Sequence, residues 1–382
     1  MSEIETVLVT GGAGFIGSHL VPRLVGAGCN VRVLDVLSPQ IHGDIPQQYP
    51  WLSLQNVEFR RGSVLCVADI DRALDGVDAV IHLAAETGTG QSMYEVARYN
   101  EANSQGAALI LERLTNNRKL NVKRFLLASS RSVYGEGAYV CEVCSPAQRC
   151  FPASRSPQAL ASGFWDPLCE SCGAALSSVA TRENDRTLPA SVYAATKYAQ
   201  EDLVRVCCGA LGIGYVILRL QNVYGEGQSL NNPYTGILSI FSTRIRRGLH
   251  LPIFEDGMET RDFIHVADVA AAFLAAVRAP APQSGVYNVG AGVGTTVAEI
   301  ATQLCDALGA PRNLKVTREY RLGDIRHNRA DVTRIRSMLG FAPEIELQEG
   351  LQRFADWALS QPLPEDRLDA ANTELKRRRL MG

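Results

Sequence analysis

Tyr193-Ala-Ala-Thr-Lys197 places a phenol and an ammonium one helical turn apart, on one face of a helix. A free tyrosine is a poor base near neutrality, with a pKa of about 10. A fixed positive charge nearby favours the phenolate and lowers that value. A phenol tuned in this way takes a proton from an alcohol as hydride leaves its carbon, which is alcohol–ketone redox chemistry. Tyr193 is therefore expected to act first as general base and then as acid, with Lys197 holding the phenolate's charge. Upstream, Ser129-Ser130-Arg131-Ser132-Val133-Tyr134-Gly135 ends an apolar run. The hydroxyl of Ser130, with Ser129 and Ser132 beside it, is expected to hydrogen-bond the reacting oxygen.

Hydride needs a carrier, and the beginning of the chain supplies a place for one. Gly11-Gly-Ala-Gly14-Phe15-Ile16-Gly17 follows the run Val7–Thr10 and opens an amphipathic stretch. The glycines permit a tight turn and close approach of backbone to a pyrophosphate, while a helix N-terminus supplies N–H groups and positive dipole. Asp35 closes the next apolar run, where a carboxylate accepts from a free ribose 2′-hydroxyl and repels a 2′-phosphate. The expected cofactor is NAD rather than NADP. Ser63 and Val64 fall where a loop meets the adenine. Leu83-Ala84-Ala85 is expected to line the ribose–phosphate path, and Tyr193 and Lys197 to flank the nicotinamide and its ribose.

These groups need a scaffold that brings them together. Val7–Thr10, Val31–Asp35, Ala79–Ala85, Phe125–Ser129 and Tyr215–Leu220 read as buried strands. Ile16–Gly26, Ile70–Leu74, Asn103–Asn116 and Ala194–Leu211 read as intervening helices. The alternation predicts an α/β fold, a Rossmann-type doubly wound parallel sheet. Residues 1–221 form the expected nucleotide domain. Residues 222–361 mainly form a smaller substrate lobe that can return elements to it, and 362–382 a polar, solvated tail. The chain has 382 residues, 46% hydrophobic and 20% charged, with a net charge of −2. No global basic field argues for nucleic acid, and no apolar run approaches the ~20 residues of a membrane span. With no leader expected before the first strand, a cytoplasmic protein is predicted.

The segment 139–178 breaks the alternation, being rich in Cys, Pro, Ser and Gly. Cys141-x-x-Cys144 and Cys169-x-x-Cys172 are two knuckles that point four thiolates at one centre, which suits a closed structural zinc site with no open position for catalysis. Cys150 is a spare or alternative ligand. The insertion separates Ser130 from Tyr193, so it is expected to emerge beside the reacting centre as a metal-stapled flap.

Several motifs in order resemble the extended short-chain dehydrogenase/reductase family, in its nucleotide-sugar epimerase and dehydratase branch. Beyond those above they are His82-Leu-Ala-Ala85, Leu218-Arg-Leu-Gln-Asn222-Val-Tyr-Gly225, Arg261-Asp-Phe-Ile-His265, Asn288-Val-Gly290 and Arg321-Leu-Gly-Asp324. The resemblance implies a nucleoside-diphosphate sugar as substrate. It implies that Asn222 contacts the phosphates, that Arg261 and Arg321 clamp the pyrophosphate, and that Asp324 meets the nucleoside ribose. A planar guanidinium suits that clamp because it pairs two phosphate oxygens at once. Asn103 resembles a residue placed behind the catalytic serine. Thr87 and Gln91, in the loop that faces the sugar pocket in the family, are expected to contact sugar hydroxyls. Sugar 4,6-dehydratases resemble one another in carrying Thr-Asp-Glu before Val-Tyr-Gly. Here Ser130-Arg131-Ser132 stands in that place, which favours epimerisation through a 4-keto sugar with the cofactor regenerated. The loop and the cysteine insertion are similar to the dTDP-L-rhamnose 4-epimerase group, which implies dTDP-6-deoxy-L-talose as product. A homodimer built on helices is expected by analogy with the family. An oxidoreductase or ketoreductase of the same fold, and a non-catalytic NAD sensor, are the alternative readings.

Overall fold

The computed structural model describes residues 4–42, 49–230, 232, 236–280 and 284–382. Seven short strands make one parallel sheet: β1 (Thr6–Thr10), β2 (Asn30–Asp35), β3 (Val57–Arg61), β4 (Ala79–His82), β5 (Arg124–Ser130), β6 (Gly214–Leu220) and β7 (Gly285–Val289), in the order β7-β6-β5-β4-β1-β2-β3. Five are the runs anticipated above. The other two escape a search for apolar runs. Edge strand β3 is half-exposed and largely polar, Val-Glu-Phe-Arg-Arg, and β7 arrives from the second half of the chain.

Successive strand residues point to opposite faces, and helices cover both. On one face Val7, Val9, Val33, Ile81, Leu126 and Leu218 pack beneath α1 (Phe15–Gly26). On the other, Leu8, Leu34, Val80, Phe125, Leu127 and Ile217 meet α2 (Gly106–Asn116) and α3 (Val192–Leu211). Strand order reverses between β1 and β4, and ligands of such sheets bind in the crevice at the carboxyl ends of strands there.

The smaller lobe has its own core, where Leu238, Phe241, Leu251, Phe263, Ile300, Leu304 and Phe354 meet. It is built on α4 (Ile237–Arg246), α6 (Val297–Ala307) and α7 (Leu347–Ser360). The helix between them in sequence, α5 (Val266–Arg278), packs instead against α1 on the sheet, and β7 completes the sheet. The polar tail expected over 362–382 is docked rather than solvated. Helix α8 (Leu368–Arg377) buries Leu368, Ala371 and Leu375, and Asp366 pairs with the buried Arg244 at 2.7 Å. Within 139–178, Tyr139–Cys141 pairs antiparallel with Ser145–Cys150 and with Ser177–Ser178 over a small core of Tyr139, Cys141 and Leu176. Among the described residues no helix is long and apolar enough to cross a membrane.

Candidate active site

The carboxyl ends of β1, β2, β4 and β5 open into a cleft of about 1590 Å³. Gly11 has φ +70°, and a Cβ there would lie 2.7 Å from the Ala84 nitrogen. At Gly17 a Cβ would lie 2.4 Å from the Gly12 carbonyl oxygen. The turn therefore needs glycine to pack against the loop that follows β4 and against itself. Gly14 caps α1 without a side-chain bond, and no acidic residue occupies the first turn. The helix's unpaired N–H groups thus remain available to an anion. Asp35 is buried; its Oδ2 accepts from the Ala13 N–H at 3.0 Å and its Oδ1 from the Leu37 N–H at 2.8 Å, which fixes the carboxylate at the cleft wall. Phe15, Ile16, Ser63, Val64, Leu83, Ala84 and Ala85 line the same cleft. The glycine cradle, the uncapped helix and the oriented carboxylate fit a dinucleotide.

At the cleft's inner end β5 delivers Ser130 and α3 delivers Tyr193 and Lys197. Ser130 caps the short 3-10 turn Arg131–Tyr134, and its Oγ accepts from the Ser132 N–H at 3.2 Å and lies 2.9 Å from the Ser132 Oγ. Ser191 caps α3 through the Ala194 N–H, and the Ser92 Oγ accepts from the Tyr193 N–H at 3.0 Å, so the loop after β4 sets the start of the helix. Burial raises the Tyr193 phenol, while the Ser130 hydroxyl and the Arg131 charge pull it back. Lys197, one helical turn on in α3, is buried in the same cleft. Its Nζ donates to the Ala128 carbonyl at 2.9 Å, and burial pushes its own pKa down to about 7. Arg131, pushed down to about 9 by burial and by the neighbouring Arg261 guanidinium, also faces Asp324, Tyr193 and Glu136. Its influence on the phenol was not legible in sequence, because it arises from side chains far apart in the chain.

Asn103 lies in a π-helical segment, Asn100–Gln105. Its Nδ2 donates to Thr196 Oγ1 at 3.0 Å and to the Glu86 carbonyl at 3.1 Å, tying α3 to the loop after β4. That loop brings Thr87 to the cleft wall. Gln91 is a correction: it is buried and does not line the cleft, its Nε2 donating to Glu95 at 3.1 Å and its Oε1 accepting from Gln40 at 3.1 Å and from Tyr99 at 3.3 Å. One helical turn after Gly88 rotates it inward, whereas Thr89 lines the cleft.

A second cavity of about 210 Å³ adjoins the first. Arg131, Thr89 and Asn222 line both, and Arg261, Arg321 and Asp324 line the second. The Asn222 Oδ1 is buried and accepts no hydrogen bond among the described residues. Arg321 stacks on Phe254 at 4.9 Å and donates to Asn372 Oδ1 of α8 at 2.7 Å. Glu259, pushed up to about 7 by burial, faces the same cavity. Behind the strand ends, Glu201 of α3 pairs with Arg219 of β6 at 2.6 Å and accepts from the Ser129 hydroxyl, locking α3, β5 and β6 in register.

The four knuckle cysteines converge. Sγ distances are 3.5 Å for Cys141–Cys172 and Cys141–Cys144 and 3.6 Å for Cys144–Cys169, and all four sulfurs lie within 4.8 Å of one another. A disulfide would need about 2.0 Å. The backbone N–H groups of Val143 and Cys144 turn toward Cys141, and those of Ser171 and Cys172 toward Cys169, favouring thiolate at both. Cys150 lies outside the cluster and packs on the small core of the insertion.

An NAD-type cradle, a Ser-Tyr-Lys constellation at its reacting end and an arginine-lined cavity beyond define a dinucleotide-dependent enzyme that acts on a carbon–oxygen centre of an anionic substrate. The chain belongs to the NAD dependent epimerase/dehydratase family, whose sequence profile matches residues 7–162 and 168–290. It is 36% identical over 361 residues to a dTDP-L-rhamnose 4-epimerase of Burkholderia thailandensis, covering 92% of this chain and 94% of that protein. Its structure is similar to that of a UDP-glucose 4-epimerase from Thermotoga maritima with UDP-glucose, at 30% identity and TM-score 0.73, covering 92% of this chain and 98% of that one. It is similar also to a UDP-glucuronic acid 4-epimerase from Bacillus cereus in complex with UDP-glucuronic acid and NAD, at 25% identity and TM-score 0.74, covering 93% and 99%.

Proposed function

We propose that the protein is a nucleotide-sugar 4-epimerase that retains NAD, with dTDP-L-rhamnose and dTDP-6-deoxy-L-talose as its substrate pair. One observation carries the reaction type. The constellation of Ser130, Tyr193 and Lys197 is complete, whereas the carboxylate pair needed for dehydration is replaced by Arg131 and Ser132. The carboxylates lining the cleft among the described residues are Asp35, Glu86 and Glu365. Asp35 is held by backbone, and Glu86 is paired with Arg98 at 2.8 Å. The relative in Burkholderia thailandensis supports the choice of sugar.

In this reading Tyr193 removes the proton of the sugar's 4-hydroxyl while Ser130 hydrogen-bonds the same oxygen. Arg131 and Lys197 hold positive charge near the phenolate. Bound NAD supplies a hydride acceptor and donor at the fourth carbon. Gly11, Gly14 and Gly17 would admit its pyrophosphate and Asp35 its ribose. Arg261, Arg321 and Asn222 grip the substrate's pyrophosphate, so that the 4-keto sugar turns about its phosphate linkage and presents its other face. Tyr193 then returns the proton.

The four-cysteine cluster is read as a structural zinc site. Zn–S bonds of about 2.3 Å in a tetrahedron separate sulfurs by about 3.8 Å, close to the spacing here. Metal analysis of protein purified without chelator should find one zinc per chain; its absence, with all four thiols freely modifiable, would refute this reading. Ten free cysteines suit a reducing, cytoplasmic setting. The packed pair α2 and α3, with Val206 and Leu211 exposed, suits a homodimer contact.

Incubation with a panel of dTDP-, UDP- and GDP-sugars, read by NMR, tests the function. Inversion at the fourth carbon of dTDP-L-rhamnose is expected. Net oxidation or reduction at the expense of added NAD(H) would point instead to an oxidoreductase of the same fold.

A further inference from the structure

The cysteine-rich insertion leaves the nucleotide domain between Ser130 and Tyr193, and two buried arginines wire it to the substrate lobe. Arg155, 3% exposed, belongs to the insertion. It donates to Glu136 Oε1 at 3.1 Å, to Glu255 Oε2 at 2.8 Å, and to the carbonyls of Trp165 at 3.0 Å and Asp324 at 2.9 Å. Arg326 of the lobe meets Asp166 of the insertion at 2.7 Å and Asp256 at 2.6 and 2.8 Å, and its N–H donates to Glu136 Oε2 at 2.7 Å. The segment 324–326 is thus held by the insertion at its carbonyl, through Arg155, and at its side chain, through Asp166, while Glu136, just before the insertion and itself paired with Arg155, holds its N–H.

The other side of that segment faces the nucleotide-sugar cavity. The carbonyls of Ile325 and Arg326 accept from the Arg261 guanidinium at 2.8 and 3.1 Å, and the Thr260 carbonyl accepts at 2.8 Å. A guanidinium has five donors in a rigid fork. Three hydrogen bonds to backbone fix its plane and leave the remaining donors for the cavity. A fork already fixed loses less freedom when it closes on a diphosphate.

We propose that the insertion is the scaffold of the pyrophosphate clamp, and that Arg155 is a positioning residue for Arg261, holding the 324–326 backbone whose carbonyls orient the guanidinium. The inference rests on Arg261 as a pyrophosphate contact. It gives the insertion a task distinct from the proton relay: it sets affinity for the nucleoside diphosphate.

The test is calorimetric titration of the full-length, cofactor-loaded protein with dTDP, together with KM and kcat on the sugar nucleotide that it epimerises. Arg155→Met keeps an apolar stem but removes the fork, and Asp166→Asn is the milder variant at a half-exposed position. Arg155→Met should weaken dTDP binding about tenfold, a tenth of the wild-type association constant, and Asp166→Asn several-fold. KM should rise in step, with kcat and its pH profile unmoved. Arg261→Met should weaken binding at least as much, and the double variant Arg155→Met with Arg261→Met should bind no worse than Arg261→Met alone, because the two act through one contact. Wild-type dTDP affinity in both insertion variants, beside a weakened Arg261→Met, would overturn the proposal; so would additive losses in the double variant. An unaltered affinity in Arg261→Met would overturn the pyrophosphate reading and the proposal with it. Should Arg155→Met fail to fold, Asp166→Asn carries the same test.

Discussion

Tyr193 sits where burial raises its pKa and Ser130 and Arg131 oppose that shift. Two predictions belong to this residue. Tyr193→Phe should lower kcat by about 10²–10⁴, the usual worth of a positioned acid–base group, with cofactor content and melting temperature unchanged. Arg131→Met should move the acidic limb of the kcat/KM profile to higher pH, because losing a nearby positive charge raises the phenol further and the phenolate then forms later on the pH axis. An unmoved limb would remove Arg131 from the relay. The Tyr-x-x-x-Lys spacing and the serines were legible because each is a local pattern tied to one helix or one strand end. Arg131 was not, since its effect comes from a juxtaposition of β5, α3 and the 324–326 segment. Gln91 misled for a related reason: a loop's polar residues do not reveal which of them faces inward, and four helical residues after Gly88 decided it.

The turn between β1 and α1 has no room at Gly17, where a Cβ would lie 2.4 Å from backbone oxygen. Gly17→Ala should therefore cost about 1–3 kcal/mol through overpacking and yield protein with little bound cofactor, seen as a lower melting temperature and weak absorbance of released nucleotide. The glycine turn and five of the sheet strands could be read from apolar runs and their punctuation. Strand β3 could not, being polar at an exposed edge, and although the lobe was expected to return elements to the first domain, nothing in the short run Gly285–Val289 marks it as the one that does. The insertion's knuckles were legible from cysteine spacing alone, whereas the arginine network that joins it to the lobe was not. If the cysteine cluster holds zinc as a staple, Cys144→Ser should lose the metal and lower the melting temperature. An unchanged metal content and unfolding profile would argue that the cluster is not a metal site.

At the scale of the whole molecule, the reversal of strand order between β1 and β4 gathers the chemistry, and a buried polar relay keeps it in place. His82 lies between Thr10, at 2.7 Å, and Gln200 of α3, at 3.2 Å. Burial, with the Lys197 charge second, pushes its pKa down to about 3. The native state therefore keeps His82 neutral, whereas the unfolded chain protonates it below its ordinary value of 6.5. Stability from this group is present above that value and is lost as pH falls toward 3, by up to about 2 kcal/mol between pH 6.5 and 5. His82→Gln keeps polar atoms for both partners but does not titrate, so its melting temperature should fall less steeply over that range than that of the unsubstituted protein. Parallel slopes would mean that His82 does not carry the acid sensitivity.

In the proposed reaction hydride leaves and returns at one carbon without leaving the protein. The most direct test follows a nucleotide sugar deuterated at the fourth carbon, with dTDP-L-rhamnose first, turned over in ordinary water without added NAD. An equilibrium mixture of the two epimers is expected, each retaining deuterium at that carbon. Loss of the label to solvent, or turnover only with added NAD(H) and net change in its redox state, would contradict it.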